Sequence, residues 1–495
     1  MQSPQEESND LTKPGASKKW WAMLAIGMSA FICTVDINIV NLALPTLIQS
    51  LHTSFATIQW VSLSYLVVCA AFILIAARLG DMWNKKWLFL GGLILFTIGS
   101  VLCGIAPTLG FLIGFRVLQG LGAVLIGVIG SAIIAEVFPK EERGRALGII
   151  HGINWVGVAS GPSVGGLLIS WVGWRFIFLV NVPISIIAIL IVALTVPKSV
   201  SSEAEKSFDV AGAILVAVTL SCFAFSMTTI QKEGFSSPIA LILLASAAIS
   251  LCCFLVVEAR SNSPMLDLKI FRSVELSFGI LMRLIVAATM AGMIFILPFF
   301  LELVKQYSPQ QTGLLLAVAS IFTALIAPIA GTLSDRFGSR IISLIGLVLI
   351  MFGFLALSTF NTQLTILGFI VRMMLLQLGI GMFTSPNNSA IMGAVPLERL
   401  GIASGLLSLS NVLGQTTGLA LTGTLFSFLT TISANLAPKI DITEAPIEAL
   451  VQGVQMSFRF FVPIVMVTIV LAGYLLWLEQ TKEQIAQTES MIEPS

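Results

Sequence analysis

The sequence is poor in charged residues and almost without histidine. Only 10% of its 495 residues are Asp, Glu, Lys or Arg, against about 25% in an ordinary soluble domain. Hydrophobic residues make up 57% of the chain, and 2 residues are histidine. So much apolar surface excludes a soluble globular fold and requires lipid around the protein. The formal net charge of +1 gives no basis for nucleic-acid binding.

Several signatures of enzymes and pumps are also missing. The sequence has no G-x-x-x-x-G-K-[ST] loop and no polar segment long enough for an ATPase domain. It has no H-E-x-x-H, no Ser/His/Asp set and no cluster of metal ligands at one membrane face, so we expect neither an enzyme nor a cofactor or metal site. The 6 cysteines all lie in apolar runs without zinc-ligand spacing, and we interpret them as small packing residues.

Long apolar runs dominate what is present. A hydrocarbon core about 30 Å thick needs about 20 apolar residues per crossing. This criterion predicts an all-α integral membrane protein with 14 transmembrane helices, at 20–44, 55–79, 87–105, 110–137, 146–172, 176–196, 209–230, 237–258, 274–303, 309–331, 340–360, 363–386, 400–430 and 457–478.

The basic residues predict the orientation of these helices. With the N-terminus inside, 18 of the 26 Lys and Arg residues fall in cytoplasmic segments and four lie within helices. The outer loops hold the other four, which are Arg175, Lys232, Lys305 and Lys439. This strong positive-inside bias places both termini in the cytoplasm. The polar stretch 1–19 lacks the basic-then-apolar order of a signal peptide, and we expect it to be a cytoplasmic tail.

Two parts of the chain resemble each other at a constant offset. The stretch "PKEERGRALGIIHGINWVGVASGPSVGG" begins at Pro139, and "PLERLGIASGLLSLSNVLGQTTGLALTG" begins at Pro396. Each enters the fifth helix of a block of six. We therefore predict a tail (1–19), a six-helix bundle (20–196), a linker region with two inserted helices (197–272), a second six-helix bundle (273–478) and a second tail (479–495). Duplicated bundles are typical of secondary transporters, which ion gradients drive.

Four motifs lie on the predicted helices and loops: "DINIVNLALP" in helix 1, an inner-loop motif, "RVLQGLGA" in helix 4 and "GVASGPSVGG" in helix 5. The inner-loop motif is weak as "ARLGDMWNKK" between helices 2 and 3 and clear as "GTLSDRFGSR" between helices 10 and 11. With these motifs the chain resembles the major facilitator superfamily, and specifically its 14-helix drug:proton antiporters of the quaternary-ammonium exporter type. The resemblance covers about residues 20 to 478. It implies the major facilitator fold and alternating access to a site between the two bundles.

Acidic residues inside the predicted helices are few, and Asp36 is the deepest. A charge near the bilayer centre costs on the order of 3 kcal/mol, so we predict a function for it. A carboxylate that binds a proton and a drug cation in turn would couple the two fluxes. The resemblance implies a proton-relay role for Arg116, and Glu302 is a further candidate for coupling. The alternative for Asp36 is a structural acid that is paired with Arg116 or bonded to the helix backbone.

The predicted substrate cavity contains mostly neutral polar and aromatic side chains. No acidic residue occurs in predicted helix 13, which disfavours multivalent cations. Two arginines sit about 13 Å into predicted helices 9 and 12. They favour a substrate with an anionic part if they face the cavity, and say nothing about it if they pair with Glu302 or backbone carbonyls. The candidates are Asn38, Asn41, Gln59, Trp60, Tyr65, Asn154, Arg283, Arg372, Gln377, Asn387, Asn388, Asn411 and Gln415.

Two more groups of residues have predicted mechanical roles. In helix 5, glycines spaced by four share one face and allow close helix packing, while a proline bends the helix; the resemblance adds a role in sealing against proton leak. These residues are Gly157, Gly161, Pro162, Gly165 and Gly166. A cytoplasmic latch of charged groups is predicted at both inner loops. Its residues are Asp81, Lys85, Asp335, Arg336, Gly338 and Arg340.

The sequence thus predicts a proton-coupled exporter of amphipathic organic compounds, cationic or neutral, in which Asp36 exchanges proton for substrate. The alternative is an exporter of an endogenous anionic or lipid-like metabolite that uses Arg283 and Arg372. The expected partners are small organic substrates, protons and the lipid bilayer. We expect a monomer in a bacterial-type cell membrane, acting alone or with a periplasmic adaptor.

Overall fold

The structure is a computed structural model, and it describes residues 16–196, 210–261, 271–395, 400–434 and 441–492. Within these ranges the chain forms helices and no β-strand. Fourteen long helices follow one another, which confirms the predicted all-α membrane architecture. They are α1 Ala16–Leu51, α2 Trp60–Met82, α3 Lys85–Gly104, α4 Leu109–Val137, α5 Lys140–Trp171, α6 Asn181–Thr195, α7 Val210–Glu233, α8 Pro238–Arg260, α9 Val274–Phe299, α10 Pro309–Phe337, α11 Ser339–Leu357, α12 Ile366–Gly393, α13 Leu400–Ser433 and α14 Ile447–Ile492.

By length and composition, 13 helical segments of the described residues are apolar enough to cross a membrane. Helix α5 is the long helix that does not qualify. Its first turns, "KEERGRA", are charged, and its glycines and serines lower its hydropathy. The same glycines and serines suit it to packing against other helices rather than against lipid.

Contacts divide the chain into two compact units. The first comprises Met1–Leu266 together with Leu301–Ala317, and the second comprises Asp267–Phe300 together with Val318–Ser495. The inserted pair α7–α8 belongs to the first unit, where α7 packs on α2. The first turns of α10 belong to the first unit as well.

The two units use the same helix pairs. In the first unit α1 packs on α5, α3 on α4 and α3 on α6. In the second unit α9 packs on α13, α11 on α12 and α11 on α14, which are the corresponding pairs. The internal repeat seen in the sequence is therefore a repeat of packing.

Glycines set the closest of these contacts. In the second unit, a methyl group built on Gly418 of α13 would lie 2.2 Å from the carbonyl oxygen of Ala288 in α9. In the first unit, a methyl group on Gly161 of α5 would lie 2.8 Å from the Cβ of Asn38 in α1. Both distances are shorter than real carbon contacts, so only glycine lets these helix backbones approach so closely.

Alanine substitution should have opposite effects on protein stability at two glycines of α13. Alanine at Gly418 would press on the backbone of α9, and overpacking of this kind costs about 1–3 kcal/mol. Alanine at Gly405 would meet nothing within 4 Å, so it should gain up to about 1 kcal/mol of helix propensity. We expect Gly418→Ala to lower the thermal midpoint of the purified protein and Gly405→Ala to leave it unchanged or raise it. Equal midpoints for both variants would contradict this packing.

Candidate functional site

Asp36 lies in α1 with 0% of its surface exposed, and its carboxylate has three side-chain donors. Arg116 Nη1 of α4 donates to Oδ2 at 2.5 Å. Gln119 Nε2 of α4 and Asn181 Nδ2 of α6 both donate to Oδ1, each at 2.9 Å. The carboxylate is thus fully enclosed, and both of its oxygens are satisfied.

Arg116 is as well satisfied as the acid. It is 1% exposed, its Nε donates to the carbonyl of Val61 at 3.0 Å, and its Nη1 also donates to Gln119 Oε1 at 2.7 Å. The guanidinium carbon lies 4.3 Å from the ring centroid of Tyr65, a cation–π distance. A buried ion pair is tolerated only when its remaining hydrogen-bonding groups are satisfied, and the contacts of both carboxylate oxygens, Nε and Nη1 contribute to that condition.

Gln119 and Asn181 complete the pair, although the sequence analysis did not single them out. Each of the two can nevertheless be related to a pattern in the sequence. Gln119 is the last polar residue of "RVLQ" and stands three positions after Arg116, so the two share a helix face. Asn181 is a polar residue in the apolar run "FIFLVNVPIS". Gln119 also donates to Ser100 Oγ at 2.9 Å, which ties α3 to the site.

The α5 motif packs beside this site. Methyl groups on Gly157, Gly161 and Gly165 would each lie within 3.1 Å of atoms of α1, on both sides of Asp36 along that helix. The neighbouring face contacts the start of α10 in the same unit. A methyl group on Gly166 would lie 2.3 Å from the carbonyl oxygen of Pro309.

Three predicted cavity residues of the first unit are bonded to neighbouring helices or to their own helix. Asn38 Nδ2 donates to the carbonyl of Thr34 at 2.8 Å. Asn41 is buried, and its Oδ1 accepts from Ser62 Oγ of α2 at 2.8 Å. Asn154 Oδ1 accepts from Thr34 Oγ1 at 3.2 Å.

The aromatic and amide residues predicted at the start of the second helix have other partners. Gln59 Nε2 donates to Gln231 Oε1 at 2.7 Å, and Trp60 Nε1 donates to Thr228 Oγ1 at 3.3 Å. Both partners belong to the inserted helix α7. These contacts indicate that Gln59 and Trp60 anchor the insertion.

The two arginines of the second unit differ in their surroundings. The helix of Arg372 begins at Ile366, so this arginine is about 9 Å inside it at 1.5 Å per residue. It donates to Thr359 Oγ1 at 2.9 Å and to the carbonyl of Gly368 at 3.0 Å. The predicted mid-depth position is therefore wrong for Arg372, which lies in the second turn of its helix and is bonded to groups near the start of that helix. Arg283 lies nine residues into α9 as predicted, and its Nε is buried without a hydrogen-bond partner in the described residues.

The amides predicted for the second unit are partly satisfied. Asn387 is buried and donates to the carbonyl of Gly279 at 3.3 Å, which joins α12 to α9. Asn388 Oδ1 and Gln377 Oε1 are buried without a partner in the described part of the chain. Asn411 and Gln415 lie half-buried on α13.

Glu302 lies in a π-helical turn, Phe300–Val304, directly after α9. Its Oε1 is buried and has no hydrogen-bond partner among the described residues. Single π-helical turns occur frequently at functional sites, and a buried carboxylate without a partner is costly. Glu302 is therefore a second candidate for binding a proton.

The predicted latch residues form contacts within each unit. Lys85 pairs with Glu136 in the first unit. In the second, Arg340 lies 3.2 Å from Glu479, 3.7 Å from Glu275, and donates to the carbonyl of Leu475 at 2.6 Å. Arg340 thereby joins α11 to α9 and α14.

The other predicted latch residues lie at or beside the same two inner turns. Gly338 has a φ of +89°, which favours glycine, at the turn between α10 and α11. Asp335 and Arg336 are exposed next to that turn, and Asp81 lies in the last turn of α2.

Comparison with known proteins gives consistent matches. The family profile described as Major Facilitator Superfamily matches residues 26–303 and residues 279–491. The Multidrug resistance protein Stp of Mycobacterium tuberculosis is 34% identical over 420 residues, covering 85% of this chain and 78% of that protein. The Riboflavin transporter RibZ of Clostridioides difficile is 32% identical and covers 83% of this chain and 89% of its own. The Tetracenomycin C resistance and export protein of Streptomyces glaucescens is 30% identical, with coverages of 83% and 76%.

Among solved structures, the chain is similar to a bacterial homolog of the human lysosomal transporter Spinster in an inward-facing and occupied conformation. The TM-score is 0.63 at 17% identity, and the alignment covers 91% of this chain and 95% of that chain. At this level of identity the likeness concerns the fold alone.

Removing one member of the buried pair should destabilise the protein more than removing both. Arg116→Gln leaves Asp36 enclosed without its cation, and breaking a buried pair costs about 3–5 kcal/mol. We expect the double variant Asp36→Asn/Arg116→Gln to have a higher thermal midpoint than Arg116→Gln alone, because the two changes are coupled. Arg260→Gln, at an exposed arginine in the last turn of α8, is the control and should change stability by about 0.5 kcal/mol or less. Additive effects of the two single changes would show that the pair is not a unit.

Proposed function

Because this chain belongs to the Major Facilitator Superfamily and is a multi-pass transporter of the cell membrane rather than an enzyme, we propose that it exports amphipathic organic compounds in exchange for protons. We propose cationic or neutral compounds as its main substrates. Two relatives at 30% identity or more support export of organic compounds by their names, a multidrug resistance protein and a tetracenomycin C resistance and export protein.

The observation that carries the proposal is the enclosed pair of Asp36 and Arg116. Arginine keeps its charge under all physiological conditions, so a proton can reach this pair only on the carboxylate. A proton on Oδ2 would remove the negative charge that Arg116 Nη1 now meets there at 2.5 Å. Proton binding and ion pairing at Oδ2 therefore compete.

The competition gives protonation a mechanical consequence. Once Asp36 is neutral, the charge of Arg116 is left with Gln119 Oε1 and the carbonyl of Val61 as acceptors. An uncompensated buried charge costs several kcal/mol, so α4 would favour a different position against α1. Two discrete arrangements of packed helices are what alternating access requires.

The enclosure also bears on how the substrate takes part. A cation cannot reach a carboxylate that is 0% exposed. Within this proposal the substrate acts on Asp36 through the arrangement of α1 and α4, and direct exchange on the carboxylate would need a conformation in which the site is open. Glu302, with its unpartnered Oε1, is proposed as a second group that can bind a proton. All of these groups belong to one chain, so we propose that a monomer performs the exchange, with or without a periplasmic adaptor.

The test is substrate-induced proton movement in liposomes that contain the purified chain and an internal pH indicator. Cationic, neutral and anionic amphipathic compounds are added in turn. We expect cationic or neutral compounds to move protons, and Asp36→Asn to reduce that signal to the level of empty liposomes. Glu444→Gln removes an exposed carboxylate and should leave the signal intact. Full proton coupling in Asp36→Asn would overturn the mechanism.

One observation favours a second candidate function, export of an endogenous anionic or lipid-like metabolite. Arg283 lies deep in α9 with a buried Nε that has no partner among the described residues. Intramembrane arginines are rare and mark substrate or ion pathways. The relative named as a riboflavin transporter is consistent with a metabolite substrate.

This candidate predicts a different outcome of the same assay. An anionic compound should then be transported, and Arg283→Gln should weaken its transport about tenfold or more, because a hydrogen bond to a charged group contributes about 1.5–3 kcal/mol. Arg372→Gln is the matched control, since Arg372 is bonded at the outer end of its helix. Anion transport that is indifferent to Arg283 would exclude the candidate.

A further inference from the structure

A groove of about 330 Å³ lies in the first unit beside the inserted helix α7. This volume is at the lower end of the range for small-molecule sites, about 300–1,000 Å³. Its wall consists of residues from the start of the second helix, from α4 and from α7: Thr57, Trp60, Ile113, Phe225, Thr228, Thr229 and Lys232. None of these residues takes part in the buried pair.

The α7 wall of the groove is a single helix face. Phe225, Thr228, Thr229 and Lys232 are spaced i, i+3, i+4 and i+7, so they line up along about 10 Å of the helix. Polarity rises along that line from a phenyl ring to two hydroxyls and then to an ammonium group in the last turn of α7. Lys232 is one of only four basic residues in the predicted outer loops.

Ring contacts and hydrogen bonds fix the two helices that form the base of the groove. The rings of Trp60 and Phe225 lie 4.1 Å apart between centroids. Trp60 Nε1 donates to Thr228 Oγ1 at 3.3 Å, and Gln59 Nε2 donates to Gln231 Oε1 at 2.7 Å. These contacts hold α7 against the start of the second helix, so the apolar surface between them is fixed before any ligand binds.

We propose that this groove binds an anionic glycerophospholipid of the outer leaflet. The phosphate would lie at Lys232, the glycerol and ester region beside Thr229, and one acyl chain along Phe225, Trp60 and Ile113. Along α7 the side chains change from apolar to polar to cationic, and such a lipid changes in the same direction from acyl chain to ester to phosphate. Its length of about 10 Å also fits the passage from headgroup to hydrocarbon, since headgroup regions add about 5–8 Å on each side of the core.

The neighbouring acid argues for an anionic rather than a zwitterionic headgroup. Glu233 could in principle attract an ammonium group. Its Oε2, however, accepts from Ser237 Oγ at 2.5 Å, and it lies about 100° around the helix from Lys232. The groove therefore offers a cation to the headgroup and no acid. The inserted helix pair would thus give this transporter a site for a specific lipid.

The test is native mass spectrometry of the full chain, purified in detergent and mixed with phosphatidylglycerol, phosphatidylethanolamine or phosphatidylcholine of identical acyl chains. We expect phosphatidylglycerol to bind about tenfold more tightly than the other two, because all three lipids carry the phosphate but only the other two carry a headgroup cation, which Lys232 repels. Lys232→Gln should abolish the preference and Lys232→Arg should keep it. Thr229→Leu, which fills the groove but keeps the lysine, should weaken binding.

Lys305→Gln is the matched control. Lys305 is another basic residue of the predicted outer side, lies over the ring of Tyr307 and does not line the groove, so this variant should bind lipid like the parent protein. Equal binding of all three lipids would overturn the proposal. It would also be overturned by preference for phosphatidylethanolamine, by unchanged binding in Lys232→Gln, or by an equal loss in Lys305→Gln.

Discussion

One constraint organises the first unit: an ionised pair inside a membrane bundle must have every hydrogen-bonding group satisfied. Water is absent, so unpaired groups cost several kcal/mol each. The hydrogen-bonded network around Asp36 and Arg116 goes toward meeting this demand and spans five helices. Its members are Asp36 of α1, Val61 of α2, Ser100 of α3, Arg116 and Gln119 of α4, and Asn181 of α6. A shift of any of these helices changes the energy of the pair, and a change in the charge of the pair acts on all of them.

The packing of α5 against α1 helps to keep Asp36 in position for these hydrogen bonds. Its glycines let α1 approach along the stretch that carries Asp36, because methyl groups placed on Gly157 and Gly161 would lie within 3.3 Å of the carbonyl oxygens of Phe31 and Val35. Side chains at these positions would push α1 outward and lengthen the contacts of the carboxylate. The structure thus accounts for the motif as close packing of α5 on α1, and the predicted sealing against proton leak would follow from that packing.

The sequence was sufficient for the fold and for the two members of the pair, because both depend on local signals. Apolar runs fix helices, and a lone carboxylate in such a run is conspicuous. The partners Gln119 and Asn181 were harder to identify, because neutral polar residues in membrane helices usually bond to neighbouring helices and rarely mark a site by themselves. Gln59 and Trp60 show the same limit: their contacts with α7 depend on how the insertion docks, which no spacing in the sequence encodes. Arg372 was misplaced because the start of its helix was predicted three residues too early.

The repeat places uncharged residues in the second unit where the first unit has its ionic pair. The carbonyls that approach Gly157 and Gly161 are those of Phe31 and Val35, and the corresponding ones at Gly414 and Gly418 are those of Leu284 and Ala288. By this correspondence Thr289 occupies the place of Asp36. Gly99 packs against Gln119, and the corresponding Gly353 packs against Leu376. Leu376 therefore corresponds to Gln119, and Met373, three positions earlier, corresponds to Arg116. The second unit therefore has a buried threonine, methionine and leucine where the first has its ionic network. A duplicated scaffold in which one copy of the core is ionic and the other is uncharged would confine the effect of a proton at Asp36 to the helix contacts of the first unit.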